Sequence, residues 1–446
     1  MQKIVINNFL SVKNAEIVIP KMLVLIGEQA SGKSTIAKLI YFFKSLNKEL
    51  YNYLSQNKLP FEFETDILQQ TKLSFSKLFS STVNLQEFNI KYYYDIKSKK
   101  YLQISANETG EIVVLFSNNM FHKNNLKKIN ELKNWLITPF NDSTNDLSNK
   151  IHTIQIEITH EELSKLLNTI FKVSNNPLFI PTNRGFITTY SNLFTNTTHE
   201  REDANETLMF KFLQRVDYIK SFFYKNKDFK KTIETYIKDE KINISELYNI
   251  KRDIKQILNG EYKIHSEAEE WILNEKGHKI NLSDLSTGQK EIIRVLQDIL
   301  ISVITDESVF RVIEAPESNL HPITQKQVTE LLCFLANNNK NNEIIITTNS
   351  PYILSTLNNL LFAAKVIKFD GTTLNYIDKY IPIEYHLNSK EFAIYSLDNE
   401  ITEQDYCVDI KSEIGLIGQN YLDTVSKMLN EDFQVLYKLY SKSLTK

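Results

Sequence analysis

Gly27-Glu28-Gln29-Ala30-Ser31-Gly32-Lys33-Ser34 spells G-x-x-x-x-G-K-S, a spacing suited to holding phosphate groups. Phosphate oxygens need several N–H donors converging without Cβ obstruction. A glycine-bearing loop at the start of a helix supplies them, and the helix macrodipole adds attraction for anions. In such a loop Lys33 meets the β- and γ-phosphates and Ser34 ligates Mg²⁺. The chain has only 10 glycines, so a chance glycine turn is a poor account of this pattern. Gly27, Glu28, Ala30, Ser31, Gly32, Lys33, Ser34 and Thr35 are the expected nucleotide-binding set, with ATP and Mg²⁺ as ligands.

Such a loop needs an acidic residue at the end of a neighbouring apolar strand, to hold the magnesium through water. Phe310-Arg311-Val312-Ile313-Glu314 fits, which makes Glu314 a metal and catalytic candidate, and Ala315-Pro316-Glu317-Ser318-Asn319-Leu320-His321-Pro322 follows it. Upstream, Leu285-Ser286-Thr287-Gly288-Gln289-Lys290-Glu291 precedes a helix. A serine cap followed by a tight turn reads the same way. Downstream, Ile344-Ile345-Ile346-Thr347-Thr348-Asn349-Ser350-Pro351 is a strand running into a loop.

These four motifs in this order resemble ABC/SMC-like ATPases of the OLD-like branch, which includes ATPase components of bacterial anti-phage systems. The resemblance spans Met1 to about Leu361. It implies that Ser286, Gly288 and Gln289 face the γ-phosphate held by a second protomer, so that ATP joins two heads. It also places Arg184, after Phe179-Ile180-Pro181-Thr182-Asn183, near a loop where a polar residue senses Mg²⁺ or γ-phosphate; a solvated or core-capping arginine reads equally well. Two departures stand out. Ala315 takes the position of the glutamate that polarises the attacking water, and Asn349 that of the switch histidine. Slow hydrolysis follows, because a positioned base contributes about 10²–10⁴-fold. Glu317 and Asn349 are the other catalytic candidates, although Glu317, two residues further on, is expected to project elsewhere.

The elements that must position these groups are legible in outline. Ile4 to Phe9, Ala15 to Ile19 and Met22 to Ile26 read as strands, followed by a helix from Ser34 to Leu46. Phe88 to Ile96, Tyr101 to Ala106 and Glu111 to Phe116 are aromatic and β-branched, forming an antiparallel lobe. Ile154, Ile156 and Ile158 alternate as in one more strand. Leu178 to Ile180 is a strand, with a loop after it. A polar linker runs from Thr195 to Asn205, and helical spacing recurs to about Gly260, with Leu208, Phe212, Val216, Ile219 and Phe223 on one stripe. Phe310 to Ile313 and Ile344 to Thr348 are strands around a helix from Thr324 to Ala336.

The expected fold is α/β, an ABC-type P-loop ATPase head with an antiparallel β lobe, a helical insertion and a C-terminal helical appendage. The expected divisions are 1–190 and 276–370 for the head, 191–275 for the insertion, and 371–446 for the appendage. The insertion is too short for a long coiled coil.

Composition narrows the partners. Lys+Arg of 52 against Asp+Glu of 54 gives a net charge of -2, so no overall basic field recruits nucleic acid. Two lysine stretches, Lys123 with Lys127 and Lys128, and Lys225 with Lys227, Lys230 and Lys231 near Tyr224 and Phe229, are the local candidates for DNA. The alternative is a solvated helix face. Two cysteines rule out a disulfide framework, and no apolar run reaches the ~18 residues a membrane span needs. A cytoplasmic setting is expected. No acidic nuclease cluster is read between Asp370 and Lys446, which implies a separate effector; Glu413 to Leu422 reads as its dock or, more readily, as a core-packing helix. A RecF-like DNA-maintenance ATPase is the alternative, and a transporter subunit a third.

Overall fold

The computed structural model describes the chain apart from residues 58, 80–86, 108–109, 138–145, 189–203, 227–243, 267–268, 398–405 and 445–446. The expected linker at 195–203 and Lys227, Phe229, Lys230 and Lys231 lie outside the described residues.

The chain opens with β1 (Gln2–Phe9), β2 (Val12–Ile19), β3 (Met22–Gly27) and α1 (Lys33–Gln56). There follow α2 (Gln70–Phe79), β4 (Phe88–Asp95), β5 (Lys100–Ala106), β6 (Ile112–Phe116), α3 (Lys123–Ile137), α4 (Asp146–Phe171) and β7 (Asn176–Ile180). Next come α5 (Ala204–Lys225), α6 (Ile244–Leu258), β8 (Glu261–Ser266), β9 (Glu269–Leu273), β10 (Lys279–Asn281) and α7 (Thr287–Ile304). The rest comprises β11 (Val309–Glu314), α8 (Pro322–Asn338), β12 (Glu343–Thr347), α9 (Pro351–Phe369), β13 (Phe392–Leu397), β14 (Cys407–Asp409) and α10 (Tyr421–Leu444).

A central sheet runs β14-β13-β3-β12-β11-β7, parallel except for β14. All six residues of β3 are buried, as a strand covered on both faces requires. Met22, Val24 and Ile26 face one apolar core with Ile292, Leu296, Leu332 and Ile353. Leu23 and Leu25 face the other, with Ile36 and Ile40 of α1 and the antiparallel sheet β2-β1-β4-β5-β6. Among the described residues no helix is long and apolar enough to cross a membrane.

Several expectations change. Helix α1 continues ten residues past Leu46 to Gln56, because Leu46, Leu50 and Leu54 keep the buried four-residue spacing. Ile154, Ile156 and Ile158 lie in α4 and not in a strand. Their short alternation is overridden by Thr159, Leu163, Leu167 and Ile170, which are buried at spacings of three and four, while Ile154 and Ile158 are exposed. The span expected to be a helical insertion ends in the strands β8 and β9. The sheet also ignores the boundary drawn at 370: β13 pairs in parallel with β3, Leu397 opposite Gly27, because a buried parallel strand needs a neighbour on each edge. Residues 413 to 420 are turns with a bridge between Lys411 and Ile417, so the helix imagined there starts only at Tyr421.

Candidate nucleotide site

The phosphate loop leaves β3 through backbone that glycine favours. Gly27 and Gly32 have φ of 149° and 92°, and Ala30 has 64°. Space presses equally. A Cβ on Gly27 would lie 2.2 Å from the Leu397 carbonyl oxygen, and one on Gly32 would lie 2.6 Å from the Tyr406 hydroxyl. That hydroxyl donates to the Ser31 carbonyl, and Tyr406 is fully buried. Lys33 folds back over the loop: its ammonium donates to the Gly27 and Glu28 carbonyls, each at 2.6 Å, and to Ser31 Oγ at 3.4 Å. Burial draws its pKa below the ordinary value, opposed by the carboxylates of Glu317 and Glu28. Ser34 and Thr35 follow in the first turn of α1.

Glu314 ends β11 beside Thr347 of β12, so the parallel sheet carries loop, acid and switch to one edge. Glu314 is 6% exposed, and its Oε1 is buried with no hydrogen-bond partner among the described residues. Ala315 adopts φ of 40°, its N–H donating to the Thr347 carbonyl at 2.9 Å. That left-handed residue turns the chain sharply, and Glu317 comes back. Its Oε1 accepts the Asn349 N–H at 3.0 Å, and its Oε2 is buried with no partner among the described residues. The expectation that Glu317 projects elsewhere is therefore overturned, because the bend at Ala315 reverses the direction of the chain.

Two orphaned carboxylate oxygens at one sheet edge suit a hydrated divalent cation. Among the described residues no group of three or more His, Cys, Asp or Glu forms a metal cage. Mg²⁺ keeps its waters and takes few protein ligands. The residues fit the group: Glu314 on the acidic side and Ser34 as hydroxyl ligand.

Arg184 is engaged within the chain. Fully buried, it donates from Nε to the Glu291 carbonyl at 2.8 Å, from Nη1 to the Pro181 and Glu314 carbonyls at 3.1 and 2.8 Å, and from Nη2 to the Ala315 carbonyl at 3.1 Å. Four carbonyls consume most of its five donors. It braces the turn after β11 against α7, which is the core-capping reading of this residue.

Ser286 caps α7 in a reciprocal box. Its Oγ accepts the Gln289 N–H at 3.3 Å, and Gln289 Oε1 accepts the Ser286 N–H at 3.1 Å. The Gln289 amide also donates to the Leu258 carbonyl at 2.7 Å, so both polar ends of that side chain are engaged within the chain. Gly288 is buried against the Asn319 turn, whose carbonyl oxygen would stand 2.4 Å from a Cβ there. The capping and tight-turn reading thus describes these residues within one chain. Ser286 and Thr287 remain exposed.

In the switch, Thr348 N–H donates to the Leu25 carbonyl at 3.0 Å, and Ser350 caps α9 and donates to Gln325 Oε1 at 2.5 Å. Asn349 is exposed between them. Tyr406 is the site residue that the sequence reading missed. The buried apolar run of β13, which had to find a sheet edge, was the available signal. The Lys127 and Lys128 ammoniums face Glu131 and Glu162 at 3.8 and 3.6 Å, which dilutes that basic stretch.

Residues 1–354 match the family described as AAA ATPase domain. No curated protein matches the chain. Among solved structures, the SMC head domain from Thermotoga maritima is 12% identical over 92% of this chain and 98% of its own, with a TM-score of 0.38. The Smc head domain with an extended coiled coil, bound to the C-terminal domain of ScpA and derived from Pyrococcus furiosus, is 13% identical over 97% of this chain and 99% of its own, with a TM-score of 0.38. The family match starts at Met1 and ends just beyond the switch, taking in the loop and both acidic residues: the chain belongs to the AAA ATPase domain family.

Proposed function

We propose that this ATPase works as an ATP-gated switch that holds nucleotide far longer than it takes a simple ATP-hydrolysing enzyme to turn over, and that its nucleotide state controls a separate effector, a nuclease in bacterial anti-phage defence. The observation that carries it is the turn after β11. Glu314 keeps an unpartnered oxygen for the cation, while Ala315 puts a methyl group where a water-polarising carboxylate is wanted. Bound Mg²⁺ supplies charge neutralisation for phosphoryl transfer. Ser34 and Glu314 hold it, Lys33 exchanges loop carbonyls for phosphate oxygens, and Glu317 fixes the switch loop through the Asn349 N–H.

Among the described residues Glu317 is the carboxylate at the switch that can orient water, and its bond to the switch backbone ties it to a second task. Ala315→Glu tests this. Since Ala315 already holds its left-handed φ with a Cβ present, the longer side chain adds little backbone strain. Turnover should rise at least tenfold with nucleotide affinity unchanged, and a rate equal to the parent's would sink the reading.

Association in pairs rests on the exposed Ser286 and Thr287 at the positive end of α7, which suit the γ-phosphate of a second copy. A separate partner is supported by α10, whose Met428, Leu429, Phe433 and Leu436 are all exposed. Copurification with genomic neighbours, weighed with and without ATP, tests both. A protein that stays monomeric with ATP and retains nothing contradicts them.

A further inference from the structure

A cavity of about 560 Å³, lined by none of the expected nucleotide-site residues, lies between the end of α5, α6, β8 and the second half of α7. Its lining combines apolar Phe222, Phe223, Ile254, Leu258, Leu300 and Ile304 with charged Lys251, Lys255, Lys263 and Glu261. This volume is in the range of small-molecule sites, which combine apolar walls with a few placed polar groups.

One such group is Gln297 of α7, 2% exposed and lining the cavity. Its amide orientation is fixed. Arg294 Nη1 lies 2.9 Å from Gln297 Oε1, and because a guanidinium can only donate, the amide oxygen must face Arg294 and the NH₂ must face away. Among the described residues that Nε2 has no hydrogen-bond partner, and neither does the buried Nε of Arg294. Arg294 is otherwise held by Glu270 through Nη1 at 2.6 Å and Nη2 at 2.9 Å. Two orphaned donors thus stand one helical turn apart on α7, and both lack an acceptor. An unpartnered buried donor is costly, so a ligand that supplies an oxygen to Gln297 gains on the order of tenfold in affinity over one that does not.

We propose that this cavity binds a single-chain acyl compound, its carboxyl or carbonyl oxygen accepting from the Gln297 amide and its chain lying against Phe222, Phe223, Ile254 and Leu300. The chemistry recognised is an acceptor oxygen on an apolar chain. A donor-only head of the same length would leave Gln297 unpaired. The site adjoins the start of α7 as well: Leu258, a cavity wall, holds the Gln289 amide through its carbonyl oxygen at 2.7 Å.

The test titrates the nucleotide-free full chain by calorimetry with decanoate, 2-undecanone and decylamine, all below their micelle-forming concentrations. Decanoate or 2-undecanone, or both, should saturate at one per chain and raise Tm, and which of them binds tells a charged from a neutral head. Decylamine should bind at least tenfold more weakly. Gln297→Glu retains the acceptor for Arg294 but replaces the NH₂ by oxygen, and should weaken 2-undecanone at least tenfold. Leu300→Trp fills the cavity and should abolish binding; where it does not fold, Ile254→Phe takes its place. No saturable binding of either acceptor probe, decylamine binding as tightly as they do, or full affinity in a folded cavity-filling variant would each overturn the proposal.

Discussion

Strand β11 carries two buried polar clusters that behave in opposite ways. Near its start, Arg311 donates to Asp298 through Nε at 2.6 Å and Nη2 at 3.1 Å, and to the Asn176 carbonyl at 2.7 Å. Arg215 of α5 reaches the same Asp298 at 2.6 Å and Glu307 at 2.8 Å. Neither side chain of the Arg311–Asp298 pair leaves a polar atom unpartnered, and the cluster bolts α5, α7 and β11 together. Three residues further along, Glu314 keeps an oxygen with no partner, Ala315 sits in left-handed backbone and Glu317 keeps a second orphaned oxygen. A structural cluster completes its own bonding. A ligand site holds unfinished bonds and strained backbone in readiness.

If that contrast is right, breaking the first cluster unfolds the protein while breaking the second leaves it folded and inert. The largest effect is expected from Asp298→Ala. Removing the shared anion strands two buried or nearly buried guanidiniums, a change that costs about 3–5 kcal/mol. Urea unfolding should show a midpoint lowered accordingly, and a midpoint within experimental scatter of the parent would mean the cluster is not structural.

Acid sharpens the same point. Burial works to raise the Asp298 pKa, but Arg311 and Arg215 overcome it and hold the carboxyl at about 2, against an ordinary 3.8. A depressed folded-state pKa stabilises above the unfolded value and loses that contribution as pH falls through the folded one. The contribution is therefore complete above about pH 4 and fades towards pH 2, amounting to about 2 kcal/mol. Asp298→Asn cannot titrate, so the difference in stability between parent and variant should shrink over that window. A constant difference would assign the acid sensitivity to other groups.

The two clusters were unequally legible in the sequence. Glu314, the loop and the switch follow from local order, since strand, acid and turn are contiguous in the chain. The ion cluster gathers Arg215, Asp298, Glu307 and Arg311 from four places, and no spacing links them. Arg184 shows the limit within the site. Its position after a strand suggested phosphate sensing, but only tertiary structure reveals four carbonyls converging on it. Tyr406 is further removed still, reaching the loop because β13 completes the sheet from beyond the stretch that carries the motifs. The direction of Glu317 was lost for a subtler reason. Counting residues along an extended chain misses a single left-handed residue, and Ala315 gives no composition signal that it is one.

The smallest expected change in stability, and the most telling, belongs to Glu314→Gln. The amide is nearly isosteric and makes no demand on an ion pair, because the carboxylate it replaces has none among the described residues. Its backbone carbonyl still accepts from Arg184 at 2.8 Å, so the turn keeps its brace. A change within about 0.5 kcal/mol of the parent is expected in urea, since one unpartnered buried polar group replaces another of the same shape. Burying one charge less can even raise the midpoint slightly. Hydrolysis should nevertheless fall by about 10–100-fold, because the neutral amide holds the cation's waters more weakly than an anion does. A variant that loses several kcal/mol of stability while retaining its rate would reverse the assignment, making Glu314 part of the scaffold and moving the search for the acidic ligand to Glu317.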